Sequence, residues 1–129
     1  MSILDGRQVK IQVLKELKEK LLKLNEPIGL AVIQVGDDAA SSIYVRQKNK
    51  MATDLNYKFQ HIKLASNIEE TELLKIIENL NNDDTVDGIL VQMPIPKHLD
   101  ATEIQNSILA SKDVDGLTDI NAGKLMHGI

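Results

Sequence analysis

From Ile28 to Val35 the chain reads Ile-Gly-Leu-Ala-Val-Ile-Gln-Val, an almost unbroken apolar run between Pro27 and the turn Gly36-Asp37-Asp38. A strand with one wet face alternates apolar and polar residues, so a run without alternation marks a strand covered on both faces. That burial requires helices above and below, the arrangement of mostly parallel α/β sheets. The turn then opens a helix with an Asp at its cap, expected from Asp38 to about Leu55. On that helix Ser41, Tyr44 and Lys48 stand at i, i+3 and i+7, one stripe carrying a hydroxyl, a phenol and an amine. Its apolar stripe, Ile43, Met51 and Leu55, borders the first, which would set the polar group at the edge of the core. Ligands of open α/β sheets bind just beyond the carboxyl ends of strands, where this stripe begins.

The remaining segments alternate in the same way. Asp5-Gly6 opens a first helix with Val9, Val13, Leu14, Leu17, Leu21 and Leu24 on one face, and Asn25-Glu26-Pro27 stops it. Tyr57 to Leu64 reads as a strand nearer an edge. Ser66 to Glu69 has the spacing of a capping box before a helix carrying Leu73, Ile76, Ile77 and Leu80. Val86 to Gln92 is a further apolar strand, with Gly88 marking a close neighbour. Met93-Pro94-Ile95-Pro96 must leave the sheet, because proline cannot donate to a ladder. Asp100 to Glu103 is a second capping box, stapled by Leu99 and Ile104, before a short helix to about Leu109. Lys112-Asp113-Val114-Asp115-Gly116 is a charged turn, and a weakly structured tail is expected from there to Ile129. The pattern predicts one three-layer α/β/α domain over residues 1–129, with a mostly parallel sheet of three to four strands joined by right-handed crossovers. Parallel strands bring Gly36–Lys48 and Gln92–Pro96 to one crevice.

Composition narrows the chemistry. The chain has no cysteine, which removes disulfides, thiolate metal sites and cysteine nucleophiles. His61, His98 and His127 lack metal-ligand spacing, so no metal site is expected. A net charge of −4 argues against nucleic acid as a partner. Lys15, Lys18, Lys20 and Lys23 are interleaved with Glu and Leu, the pattern of a solvated face. No apolar run is long enough for a membrane span and the first residues form no signal-peptide core, so a cytoplasmic location is expected.

Each polar candidate has an ordinary reading beside the functional one. A Tyr and a Lys four apart on a helix are commonly a surface pair. Gln92 closes an apolar strand, where an uncharged amide is costly unless paired; it can bond nearby backbone, or accept from Lys48 across the crevice. A carboxylate in the charged turn can cap its own backbone or take two N–H donors from an aminopyrimidinone ring, and spacing leaves Asp113 and Asp115 both open. Tyr-x-x-x-Lys also occurs in short-chain dehydrogenases. Here, however, no glycine-rich turn follows the first strand, and two carboxylates at the helix start would repel a phosphate.

Taken together, three stretches resemble the bifunctional methylenetetrahydrofolate dehydrogenase/cyclohydrolases. They are Leu30 to Asp38 with Ser41-x-x-Tyr44-x-x-x-Lys48, then Asp87 to His98, then Lys112 to Leu117 with Ile120 to Leu125. The resemblance implies that Lys48 is the catalytic lysine, that Tyr44 stacks on the folate, and that Gln92 bonds to the lysine and tunes it. It implies that Asp115 holds the pterin ring, that Ser41 stands near the lysine, and that Val91 and Met93 line the pocket. Met93 stands where leucine is commoner in the family. The resemblance further implies a tetrahydrofolate derivative as substrate, NADP as cofactor and a homodimeric parent. It also implies a second, Rossmann-type domain that binds NADP beyond Ile129, leaving this stretch as the N-terminal, folate-binding catalytic half with no cofactor-binding residue of its own. Two other expectations stand beside this one: a folate-binding module without catalysis, and a non-catalytic interaction domain that retains the fold.

Overall fold

A computed structural model describes residues 6–24 and 26–128. The expected helix-opening Asp5 and helix-stopping Asn25 lie outside the described residues. The order of elements is α1 (Gly6–Leu21), β1 (Gly29–Val35), α2 (Ala39–Asp54), β2 (Lys58–Leu64), α3 (Glu70–Asn81), β3 (Gly88–Gln92), α4 (Ala101–Asn106), a single 3-10 turn (Ala110–Lys112) and α5 (Asp119–Met126). The three strands form one parallel sheet in the order β2-β1-β3.

β1 lies at the centre, and its alternate side chains enter two cores. Ala31, Ile33 and Val35 join Ile89 and Val91 of β3 against Leu73, Ile77 and Leu80 of α3 and Ile104 of α4. On the opposite face Val32 and Leu90 pack with Val45 of α2, with Leu30 and Phe59 beside them. The apolar run thus has no solvent face, and α2 lies on one side of the sheet while α3 and α4 lie on the other. β2 has no buried residue and is exposed at Lys58, Gln60, His61 and Lys63, as expected of an edge strand.

The register closes the edges of β1 with backbone. Gly29 N donates to the Asp87 carboxylate at 2.8 Å, and Asp87 N donates to Gly29 O at 2.8 Å. A Cβ on Gly29 would stand 1.9 Å from the Thr85 carbonyl oxygen, so no larger residue fits without moving the chain. Gly88 meets the expected close neighbour: its Cβ would stand 2.7 Å from a Val114 methyl. Val114 is brought there by a parallel bridge between Ile89 and Asp113, which lays the charged turn alongside β3.

Four expectations are corrected. The apolar face of α1 is not part of either core: no described α1 residue is buried, and Val9, Val13 and Leu17 are all exposed. On α2, Ile43 and Met51 are also exposed, and the inward face is Ser41, Val45 and Ala52, with Leu55 buried just beyond. Ser66 is not a helix cap. Ile68 turns toward the core, its N–H bonds to Ala65 O in a turn, and α3 starts only at Glu70. The expected weakly structured tail contains α5, Asp119–Met126, which Thr118 caps by accepting from Asn121 N. Asp100 caps α4 as expected, accepting from Thr102 N and Glu103 N, and Leu99 and Ile104 are both buried.

Two glycine substitutions separate close packing from open helix surface. Gly29→Ala should destabilise the fold by about 2–3 kcal/mol, since backbone must shift to admit the methyl. Gly123→Ala, at a helical site with nothing within 4 Å of the added carbon, should stabilise by up to about 1 kcal/mol. Urea unfolding of both variants against the parent measures each difference.

Candidate active-site crevice

Two successive connections set the crevice. β1 feeds α2 on one face of the sheet and its neighbour β3 feeds α4 on the other, so the two chains part just beyond the carboxyl ends of adjacent strands. That divergence is the switch point at which doubly wound sheets hold ligands. Gly36, at φ +87, turns the chain out of β1, and Asp38 caps α2 by accepting from Ser41 N at 2.9 Å. Glycine suits that left-handed conformation because it has no Cβ to clash.

The structure brings Ser41, Lys48, Gln92 and Met93 together at this edge. Lys48 Nζ donates to Gln92 Oε1 at 2.7 Å, joining α2 to the last residue of β3. Gln92 Nε2 donates to Met93 O at 3.3 Å, which directs the amide oxygen at the lysine. Ser41 Oγ donates to the same Met93 carbonyl at 3.1 Å, and Ser41 is buried. The Met93–Pro94 peptide is cis. Lys48 is half-buried, while the Tyr44 ring one turn earlier is 53% exposed, so the stripe runs from core to solvent. Val91 is not part of this wall through its side chain, which enters the core on the α3 face. Met93 packs partly against that same core and contributes its carbonyl to the crevice.

The two carboxylates of the charged turn differ in what they bond. Asp113 is a structural group: it accepts from Thr118 N at 2.9 Å and from Asn121 Nδ2 at 3.1 Å, tying the turn to the start of α5. Its burial would raise its affinity for a proton, but hydrogen bonds from Thr118, Asn121 and Leu117 outweigh this and hold the carboxyl below its usual range. Lys112 is structural as well. Its ammonium donates to the carbonyls of Leu80, Asn81 and Asp83, closing the carboxyl end of α3. Asp115, two residues on, is exposed and is left to face solvent or a ligand.

Sequence reasoning passed over one group here. Gln34 is 1% exposed and shares the α2 face of the sheet with Gln92, its register partner on β3. Its Nε2 donates to Ser42 Oγ at 3.0 Å, and its Oε1 lies 3.0 Å from His61 Nε2 on β2. The available signal was an amide interrupting an apolar strand one residue from its end. Partial burial, and then the charge of Lys63, hold His61 below its ordinary value of 6.5. Other concavities lie elsewhere. A groove of about 940 Å³ runs between α1 and α2, lined by Ile11, Leu14, Leu22 and Met51, and Lys48 does not border it. No group of three or more His, Asp or Glu side chains among the described residues is placed to hold a metal.

Fold and site together define a doubly wound parallel α/β domain whose ligand crevice is organised by a lysine paired with a neutral amide. Residues 4–115 match the model of the tetrahydrofolate dehydrogenase/cyclohydrolase catalytic domain, and the chain belongs to that family. The bifunctional protein FolD of Chlamydia abortus is 47% identical over 126 residues, which is 98% of this chain and 44% of that protein. FolD of Clostridium tetani is 40% identical over 97% of the chain and 46% of its own length. The crystal structure of the bifunctional FolD dehydrogenase/cyclohydrolase from Campylobacter jejuni superimposes with a TM-score of 0.95 at 44% identity, over the whole of this chain and 47% of that one. The methylenetetrahydrofolate dehydrogenase-cyclohydrolase of Trypanosoma brucei, solved with NADP and an inhibitor, gives a TM-score of 0.88 at 30% identity, over 96% of this chain and 43% of that one. The chain spans about half the length of the relatives it matches.

His61 and Asp113 shape successive parts of the acid limb of the pH profile of stability. A histidine whose folded value is depressed binds its proton more readily in the unfolded chain, so stability falls as pH drops below about 6.5. His61→Gln should flatten that part of the profile in thermal melts between about pH 8 and pH 5. The contribution of Asp113 is complete above the carboxylate value of 3.8 and is lost only below it. Asp113→Ala should cost about 1–3 kcal/mol at neutral pH, because two donors at the start of α5 lose their acceptor.

Proposed function

We propose that this chain is the folate-binding, lysine-bearing half of a one-carbon folate enzyme. That enzyme oxidises methylenetetrahydrofolate with NADP and hydrolyses methenyltetrahydrofolate to formyltetrahydrofolate. The observation that carries the reading is the 2.7 Å bond from Lys48 to Gln92 at the switch point, in a chain of this family. Lys48 is the catalytic group in this reading, and Tyr44, Gln92, Ser41, Met93 and Asp115 serve it.

Hydrolysis of the methenyl bridge adds the oxygen of water to a cationic carbon, after which one carbon–nitrogen bond breaks. Of the two protons of the water, one ends on the freed ring nitrogen and the other is released. A single amine beside that carbon can accept the first proton and return it to the nitrogen. A neutral amide suits this task as a partner, because a carboxylate would hold the proton on the lysine. Gln92, tied to Met93 O, gives Lys48 direction without that charge. The exposed ring of Tyr44 offers a flat apolar face for stacking an aromatic ring, and the Asp115 carboxylate can accept two N–H donors from the aminopyrimidinone edge. Val91 supports the strand end from the core rather than by side-chain contact with the folate.

The start of α2 does not fit the phosphates of NADP. Asp37 and Asp38 stand at the start of α2, and the Asp38 carboxylate already takes the Ser41 N–H there. A phosphate at that position would meet negative charge, so this end of α2 is not a dinucleotide cradle. The relatives are roughly twice as long, and the reading assigns the dinucleotide to a second, Rossmann-type domain of a longer, homodimeric parent. Hydride transfer then depends on aligning folate and NADP between two halves, and this stretch alone should show little or no turnover. No described helix is long and apolar enough to cross a membrane, and the reading places the enzyme in the cytoplasm.

Lys48→Ala, made in this stretch joined to the remaining length of a relative, should lower the hydrolysis rate by about 10²–10⁴-fold. Folate affinity should stay within about tenfold of the parent in the same protein. Turnover and binding measured on one preparation test the assignment. Unchanged hydrolysis would remove Lys48 from the chemistry and favour a binding module.

A further inference from the structure

The α2 helix is attached to the sheet by two neighbouring serines that reach different strands. Ser41 donates to the Met93 carbonyl beyond β3, and Ser42 accepts from Gln34 of β1. Between them and Lys48, Val45 is buried against Val32 and Leu90. Val45 and the small Ala52 hold the helix against the sheet through non-directional contacts, which constrain its roll only weakly. Two polar attachments about 100° apart around the helix remove that freedom. Lys48 projects from the same side as Ser41, seven residues along, so any roll moves its amine relative to Gln92.

We propose that Gln34, held between His61 and Ser42, is a positioning residue for Lys48: it sets the roll of α2 and thereby the place of the amine over the end of β3. The proposal rests on the reading of Lys48 as the working group of the crevice. Gln34 is 1% exposed among apolar β1 neighbours, where leucine or methionine would fill the same space. Both ends of its amide are engaged at 3.0 Å, one on the edge strand and one on the helix. With Oε1 facing His61, an acceptor only, the ring Nε2 carries the hydrogen, and the amide N–H₂ is turned to Ser42. The amide therefore ties α2 to β2 across β1, and the backbone of Gln34 is paired in register with Gln92, the residue that receives Lys48.

The test compares Gln34→Met, Ser42→Ala and the double variant with the parent chain. Gln34→Met keeps length and apolar volume, and Ser42→Ala keeps a good helix former. Pulse acetylation with acetic anhydride, read by peptide mass spectrometry, gives the rate at Lys48 relative to the exposed Lys75 and Lys97 of the same molecule. Both single variants should raise the relative rate at Lys48 roughly three- to tenfold, and the double variant should add little beyond either. Calorimetric titration with 5-formyltetrahydrofolate should show a loss of affinity of roughly the same factor. Cooperative melting confirms that each variant is folded. If Gln34→Met fails to fold, Ser42→Ala alone decides, because it removes the same bond from the helix side. A relative rate at Lys48 unchanged within about twofold in a folded variant, or strictly additive effects, would overturn the positioning role and leave Gln34 a packing residue. Altered acetylation in the variants, with a parent that binds no folate, would sustain the positioning role while rejecting the folate reading.

Discussion

A central strand with no solvent face is the constraint on which the rest depends. Gly29–Val35 must be covered above and below, so α2 is placed on one side and α3 with α4 on the other. Helical crossovers make its neighbours parallel, and parallel strands end together. The crevice follows from that geometry before any side chain is considered: β1 and β3 are adjacent, and the helices that follow them leave on opposite faces. What the side chains add is a polar end to an apolar sheet. The last row on the α2 face is Lys63, Gln34 and Gln92 in register, replacing the Leu30, Val32 and Leu90 that pack behind it.

That polar row explains how a lysine is kept half-buried without a carboxylate partner. Gln92 is itself oriented by Met93 O, and the same carbonyl receives Ser41. The ion pair at the outer end of that row, Lys63 with Asp37, is on exposed side chains and adds little stability. Lys112 and Asp113, which look equally eligible as functional groups in a charged motif, are consumed by the carboxyl end of α3 and the start of α5. The motif is thus mainly architectural, with Asp115 as its exposed carboxylate.

The doubly covered strand, the edge position of β2 and the helix faces of α3 and α4 were legible in the sequence, because each depends on local periodicity. The pairing of Lys48 with Gln92 was legible as a possibility, since both residues lie at ends that parallel topology must bring together. Three things were not. The exposure of the apolar face of α1 depends on what covers it, which no periodicity records. The inward face of α2 is Ser41, Val45 and Ala52, small residues that allow close approach to the sheet but score weakly as a hydrophobic stripe. Gln34 reads as a lapse in an apolar run until its partners on β2 and α2, far apart in sequence, are seen together.

The central claim is that the crevice at the switch point is already shaped for a reduced folate, with Tyr44 as its stacking face. Calorimetric titration of this chain with 5-formyltetrahydrofolate, beside Tyr44→Ala, tests it most directly. The account predicts saturable binding to the parent chain and at least about tenfold weaker binding to the variant. A cooperatively folded parent that takes up no folate, or a variant that binds as tightly as the parent, would contradict it.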